Sequence, residues 1–538
     1  MAWMFADVWE AIARAQPDRP AVVLGERTIS WGQFDARADA LAAHFIARGL
    51  SHRAKVAGYL YNGPEYLESY FAAFKGGFEP VNTNYRYGPE ELVYLFDNAD
   101  AEAVVFHASF ADTVEVIRPR LPKVKTWVAV AEPGHPVPAW ADDYDAIVAT
   151  TPAARPVKAA WGRSGDDLLL LYTGGTTGMP KGVVWRHEDV VYALGGGIDV
   201  ISGQRLETDA DFVAKGNAGF PLTIHPLPPL MHGASQWAVM GQSFLGNRIV
   251  LRERFDAAGA WRTVADEGVN LIMMTGDAMA RPLLDELDTS ADAYDLSSLF
   301  AVSSSAVLFS QTCKDAFLDY FPNLVITDAI GSSEGGANGV AMVSKGVAMK
   351  GGPTVTPARD AVVLDDDLRP IEAGSGQIGR LARFGNVPIG YHKDPEKTAA
   401  TFVTGPDGIR YVIPGDFATI EADGSITMLG RGSVSINTGG EKVFPEEVEN
   451  ALKGHPAVFD ATVVGVPDER WGERVVAVIA AREGTVPELT DIQDHCRNHI
   501  AGYKLPRDLV LVDTIVRSPA GKPDYRWAKA TAVEALGG

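Results

Sequence analysis

Residues 168–182 read LLLLYTGGTTGMPKG, an apolar run that breaks into glycines, threonines and one lysine. The run 168–172 is short, apolar and sharply terminated, which predicts a buried strand. Gly174, Gly175 and Gly178 carry no side chain, so backbone N–H groups can close on an anion there. Thr173, Thr176 and Thr177 add hydroxyl donors, and Lys181 adds a positive charge. These are the parts of a site for nucleotide phosphates. Without the strand and the lysine, the same cluster would read as an ordinary flexible loop. The order is not that of a Walker A loop, in which Gly-Lys-Ser/Thr opens a helix. Here Lys181 follows Pro180 and precedes Gly182, Val183 and Val184, so the chain is expected to return to extended conformation.

Outward from this strand, short β-rich runs at 21–24, 55–61, 103–106 and 125–131 alternate with amphipathic helical patterns such as 31–47 and 63–78. Such alternation predicts α/β layers with largely parallel sheets. The pattern pauses at 421–435, EADGSITMLGRGSVS, with turn chemistry at Asp423-Gly424. Beyond it, helices at 445–453 and 489–499 and strands at 461–466, 475–481 and 508–512 predict a small α+β unit. The expected fold is α/β: a large multi-sheet N-terminal domain, residues 1–432, and a small mobile α+β C-terminal domain, residues 433–538.

A chain of 538 residues is too long for one core, which agrees with this division. Its 46% hydrophobic and 22% charged residues are those of a soluble globular enzyme. A formal charge of −21 argues against nucleic acid or an anionic membrane surface as the main partner, while leaving room for a local basic pocket. The two cysteines, Cys313 and Cys496, read as unpaired thiols rather than a disulfide or metal cluster. Residues 1–20 carry Asp7 and Glu10 where a signal peptide would be positive, and they fit an amphipathic helix ending before Pro17. No apolar stretch reaches the roughly 18 residues of a spanning helix. The cytoplasm is the expected location.

Further segments follow in order: PPLMHGA at 228–234, SSSAVL at 303–308, DAIGSSE at 328–334, YVIPGDF at 411–417, GRGS at 430–433, GGEKVFP at 439–445, AGYKLP at 501–506 and SPAGKPDY at 518–525. Together with 168–182, this series resembles the adenylate-forming enzymes, the superfamily of acyl-CoA synthetases, peptide-synthetase adenylation domains and beetle luciferases. The resemblance runs along nearly the whole chain. It implies ATP, Mg²⁺ and CoA as cofactor and co-substrates, and a carboxylic acid as substrate.

By matching position, Thr173, Gly174, Gly175, Thr176, Thr177, Gly178 and Lys181 would hold the ATP phosphates, with Thr176 counted among the catalytic residues. Ser304, Asp328, Ile330, Gly331, Ser332 and Ser333 would border the adenylate; Asp328 would accept from the adenine amino group, and Ser333 would bond the α-phosphate. Asp416 would grip both ribose hydroxyls, since a carboxylate can accept from two vicinal OH groups at once. Arg431 would contact ribose and phosphate. Glu334 would hold Mg²⁺, a hard cation that takes oxygen ligands. His232, Ser305 and Ala306 would line the acyl pocket, Gly439, Gly440 and Glu441 would face CoA, and Lys522 would be the adenylation lysine. Glu446, Glu447 and Glu449 read as a solvated helix N-terminus, favoured there by the helix dipole.

Several residues depart from the family pattern. Ile330 stands where most relatives carry an aromatic residue against adenine. Serines replace two glycines in 303–305, and Val307 replaces a proline. The combination of serines and isoleucine resembles synthetases of actinobacterial sterol side-chain degradation, and it points to a bulky acid. Ser433 stands at the hinge, where relatives have Asp or Lys, and offers no charge to either end state. The implied reaction is adenylation of a medium/long-chain fatty acid or a bulky, steroid-type carboxylic acid, followed by transfer to CoA. An acyl-AMP ligase that loads a carrier protein is the first alternative, although no carrier motif follows in the sequence. An oxidative, luciferase-like use of the adenylate and a non-catalytic adenine-nucleotide-binding protein are the others. The last would be expected to lack Lys522 or Glu334. Related enzymes are often dimers, which makes a homodimer an expectation by analogy.

Overall fold

Packing divides the chain into two units in a computed structural model that describes residues 4–174, 179–198, 203–218, 221–343, 353–438, 441–468, 470–518 and 521–537. One unit comprises residues 1–273, 294–299 and 386–400, and the other 274–293, 300–385 and 401–538. Gly175, Thr176, Thr177, Gly178, Gly439 and Gly440 lie outside the described residues.

The first unit contains an eight-stranded sheet in the order Gly390–Tyr391, Lys181–Arg186, Leu168–Thr173, Glu79–Asn82, Lys55–Tyr59, Ala101–His107, Thr126–Val130, Asp142–Asp143. From Leu168–Thr173 onward the pairing is parallel. Its central strands are largely buried on both faces. Trp31–Ala47 begins with a capping box, Ser30 accepting from the Gln33 N–H while the Gln33 side chain accepts from the Ser30 N–H. Pro64–Gly76 is buried along its whole length and ends at Gly77 in the left-handed region, φ 66°. A Cβ there would lie 2.8 Å from the Trp161 ring nitrogen, so only glycine closes this helix. A second group of strands runs Arg27–Ser30, Pro20–Leu24, Arg248–Leu251, Thr223–Pro226, Leu271–Met274.

In the second unit, Ala301–Ser305 pairs in parallel with Val325–Ser332. The following strands, Gly336–Val343, Thr354–Pro357, Ile426–Arg431, Asp416–Ile420 and Gly379–Arg383, pair antiparallel. The largely parallel pairing expected from the sequence is therefore corrected here. Turns at 333–335 and 421–425 bring the chain straight back, whereas a parallel neighbour needs a crossover of a dozen or more residues.

The last hundred residues form a five-stranded sheet, Glu441–Val443, Ile436–Thr438, Gly472–Ala481 and Val458–Asp468, with Asp508–Val512 parallel to Gly472–Ala481. One apolar face packs on Val448, Leu452 and Ile492 from the helices Pro445–Lys453 and Leu489–Cys496, and the other on Ala528 and Ala532 of Tyr525–Ala535. The solvated reading of the three glutamates is overturned. Glu449 is buried and accepts from the Val463 N–H at 3.0 Å, Glu447 pairs with Lys504, and a side chain at Gly430 would collide with the Glu446 carboxylate. Helix Pro445–Lys453 packs its apolar stripe, Val448, Ala451 and Leu452, on the sheet, and other neighbouring chain meets its acids on the remaining sides. Both cysteines are buried and unpaired.

Candidate active site

Four of the charged residues named from the sequence lie in the second unit and act on one another. Asp416 opens the strand Asp416–Ile420 and Arg431 closes Ile426–Arg431, so the two face each other in the antiparallel register. The Arg431 Nε donates to Asp416 Oδ1 at 3.1 Å. Burial alone would lower the Arg431 pKa; the Asp416 and then the Glu334 carboxylate outweigh it and raise it. Glu334 sits in the turn between Val325–Ser332 and Gly336–Val343, where the Ser332 Oγ accepts from the Gly335 N–H at 2.9 Å. Gly331 is required beside it, because a Cβ would meet the Gly336 carbonyl at 2.6 Å.

The Lys522 ammonium feels this same group. Surrounding protein lowers its pKa from the ordinary lysine value, the Arg431 charge lowers it further, and Glu334 and Asp416 oppose both. Lys522 and Arg431 nevertheless keep surface open to water, so solvent screens these interactions. The arrangement is a partly exposed group of two cations and two carboxylates, suited to a polyanion that brings its own countercharge.

On the adjoining strands, Ser304 pairs in register with Asp328, and Ser305 with Ala329. The Ser304 hydroxyl is buried and accepts from the Gly276 N–H at 3.0 Å. Asp328 holds an ion pair at 2.7 Å with Lys314, both almost fully buried. Burial raises the Asp328 pKa, against the pull of Lys314. Ile330 packs toward Ala341, Val355 and Leu381. Ala306 has φ 69°, and the Val307 N–H donates to the Ser305 carbonyl at 2.9 Å. That is a γ-turn of the strained kind, costing about 1–3 kcal/mol for a residue with a Cβ. Ser433 lies in the short turn Gly432–Val434, and Glu441 is exposed at the start of Glu441–Val443.

In the first unit, Thr173 and Lys181 are register partners at the end of the hairpin Leu168–Thr173 and Lys181–Arg186. Lys181 therefore does return to extended chain, and its Nζ lies 2.9 Å from Asp394 Oδ2. His232 precedes the helix Gly233–Ser243. A residue that sequence reasoning missed links these two places. Buried Asn82 donates to the carbonyls of Tyr172 (2.8 Å) and Met231 (2.7 Å) and accepts from the Tyr172 N–H (2.7 Å). Nothing local marks Asn82; both of its partner residues, Tyr172 and Met231, are distant in the chain. Among the described residues there is no cluster of three metal-ligating side chains and no helix long and apolar enough to cross a membrane.

The family model for AMP-binding enzymes matches residues 9–385, and that for the AMP-binding enzyme C-terminal domain matches 447–522. The chain belongs to the AMP-binding enzymes. It is an enzyme of the AMP-forming acyl-CoA synthetase type. It is 48% identical to a 3-oxocholest-4-en-26-oate–CoA ligase of Rhodococcus rhodochrous, over 98% of this chain and 96% of that one. It is also 48% identical to a medium/long-chain-fatty-acid–CoA/3-oxocholest-4-en-26-oate–CoA ligase of Mycolicibacterium smegmatis, over 99% and 97%. Among solved structures, an anthranilate CoA ligase in complex with anthranoyl-AMP shares the fold with a TM-score of 0.85 at 22% identity, covering 99% of this chain and 98% of that one.

Proposed function

We propose that this chain joins a bulky, hydrophobic carboxylic acid to CoA, with Lys522 driving the first of two half-reactions. In that step a carboxylate oxygen bonds to the α-phosphorus of ATP and pyrophosphate leaves. Negative charge builds on the phosphoryl oxygens, so positioning and electrostatic stabilisation are the chemical task. Lys522 supplies a cation to the carboxylate and α-phosphate, Asp416 accepts from the ribose hydroxyls, and Arg431 contacts ribose and phosphate. Thr173, Lys181 and the glycine–threonine loop between them receive the β- and γ-phosphates.

Glu334 suits Mg²⁺, a hard cation that takes carboxylate and phosphate oxygens. When present, the ion would offset phosphate charge. In the second half-reaction the CoA sulfur bonds to the acyl carbon and AMP leaves with the electron pair. A thiol pKa of about 8.5 leaves some thiolate near neutrality, so no dedicated base is needed. The residues after Ser433 are proposed to move as a mobile C-terminal domain, withdrawing Lys522 and turning Gly439, Gly440 and Glu441 toward CoA.

The observation that carries this reading is the grouping of Lys522 with Glu334, Asp416 and Arg431. Support for a bulky acid comes from the relatives' substrates and from the γ-turn at Ala306, which bends the proposed acyl wall. A cytoplasmic site would supply ATP and CoA together, and light scattering of the purified chain reads the dimer expected by analogy. The test of the acid is kcat/KM over acetate, benzoate, palmitate and a cholestenoate-type steroid acid. The steroid acid or palmitate should exceed acetate and benzoate by about 100-fold or more, since each buried methylene contributes about 0.8 kcal/mol. A preference for acetate or benzoate would overturn it. Pyrophosphate release without thioester would point instead to a carrier-protein acceptor.

A further inference from the structure

Four charged side chains, none of them singled out by the motifs, make a chain within the second unit, buried at Asp277 and Lys453 and partly exposed at Asp460 and Arg517. Asp277 lies in the first turn of the helix Gly276–Ser290, 3% exposed. Its Oδ2 lies 3.9 Å from Nζ of Lys453, which is 1% exposed, and 3.3 Å from Arg281. Lys453 in turn lies 3.3 Å from Asp460 Oδ1. Arg517 grips Asp460 with both arms of its fork, Nε to Oδ2 at 2.8 Å and Nη2 to Oδ1 at 2.7 Å. Its remaining arm, Nη1, donates to the Gly521 carbonyl at 2.7 Å, the peptide that leads into Lys522.

The turn carrying Lys522 has its own closure. Ser518 N–H donates to the Lys522 carbonyl, and the Lys522 N–H to the Ser518 Oγ. Gly521 has φ 77°, and a Cβ there would lie 2.8 Å from the Ala278 Cβ and 3.4 Å from the Thr275 hydroxyl. The turn thus rests on the same first helical turn that carries Asp277.

The other oxygen of Asp277 faces the segment 303–310. Oδ1 accepts from the Ser310 N–H at 2.8 Å, the Asp277 N–H donates to the Leu308 carbonyl at 2.9 Å, and the Gly276 N–H donates to Ser304. Between Ser304 and Leu308 lies the strained turn at Ala306. One buried carboxylate therefore holds both ends of a path from that turn to the Lys522 peptide.

We propose that Asp277 is a positioning residue for Lys522, acting through Lys453, Asp460 and Arg517, and that it couples the turn at 304–308 to the placement of the lysine. Charges this deeply buried persist only when paired. Asp277 faces Lys453 and Arg281, and Asp460 faces Lys453 and Arg517, so removing one carboxylate leaves an uncompensated charge along the path. Burial would raise the Asp460 carboxyl, but Lys453 and then Arg517 hold it down to about 2. Asp460 therefore stays ionised across the physiological range. An acid that presses on Ser305 and Ala306 would move the Leu308 and Ser310 anchors, and through Asp277 the lysine turn.

The inference rests on the proposed role of Lys522 in the first half-reaction only, and its test separates the two. In the full chain, Asp277→Asn keeps an oxygen for the Ser310 N–H but removes the charge facing Lys453. Pyrophosphate–ATP exchange should fall at least about tenfold, while thioester formation from supplied acyl-adenylate stays within about twofold. Amide hydrogen exchange at Ser518, Gly521 and Lys522 should quicken, and Asp460→Asn should give the same pattern. Equal losses in both half-reactions would make Asp277 merely structural and overturn the proposal, as would unchanged exchange at the Lys522 turn in both variants. The exchange arm needs no turnover, so the relay can fail while the ligase reading stands, or the reverse.

Discussion

Two effects oppose each other at Lys522, and their balance can be measured. Surrounding protein and Arg431 disfavour the ammonium, whereas Glu334 and Asp416 favour it, with a net lowering. If the cation is the active form, adenylation should fall on the alkaline side at a pH below the ordinary lysine value of about 10.4. Asp416→Asn removes a neighbour that raises the pKa, so the alkaline limb should move to still lower pH. A pH profile of pyrophosphate–ATP exchange reads both positions. The same variant should raise KM for ATP by about 10- to 100-fold, because a hydrogen bond to a charged group contributes about 1.5–3 kcal/mol. A limb that stays fixed between wild type and variant would remove Asp416 from the electrostatics of Lys522.

Helix Pro445–Lys453 provides a second titration. Burial, and then Glu449, push the Glu446 carboxyl up to about 8. An acid whose pKa is raised on folding stabilises the fold fully below its unfolded pKa, near 4.3, and loses that contribution as pH rises through its folded value. Wild-type stability should therefore decline between about pH 4 and 8 through this group, and Glu446→Gln should flatten that decline in urea unfolding. In the first unit, Asn82→Ala should destabilise by about 3 kcal/mol, since it strips partners from buried peptide groups of Tyr172 and Met231. These residues also mark what a linear sequence hides. Trp31–Ala47 and Pro445–Lys453 were legible from apolar periodicity, and Lys181–Arg186 from the valines after Pro180. Asn82, Asp277, Lys453 and Arg517 carry no local signature, because each is defined by partners that only folding brings near. The three glutamates misled because helix-dipole reasoning sees the chain's own helix and not what packs against it.

Over the whole molecule, the order of motifs made the family legible before any coordinates, and the 48% identity to two CoA ligases extends end to end. What the motifs could not convey is how the antiparallel hairpins of the second unit bring Glu334, Asp416 and Arg431 to act on a lysine much further along the chain. Sheet register does that: Asp416 faces Arg431 across one hairpin, and Glu334 tips another. The central claim is that this group converts an acid, ATP and CoA into a thioester through an adenylate, and one measurement tests it most directly. Purified protein with ATP, Mg²⁺, CoA and a steroid or long-chain acid is followed by mass spectrometry for AMP and acyl-CoA, beside Lys522→Ala. The account predicts AMP and acyl-CoA in equal amounts from wild type. The variant should lose about 100-fold or more of that rate but still convert supplied acyl-adenylate to thioester. Undiminished thioester formation from ATP in Lys522→Ala, or ADP in place of AMP, would contradict it.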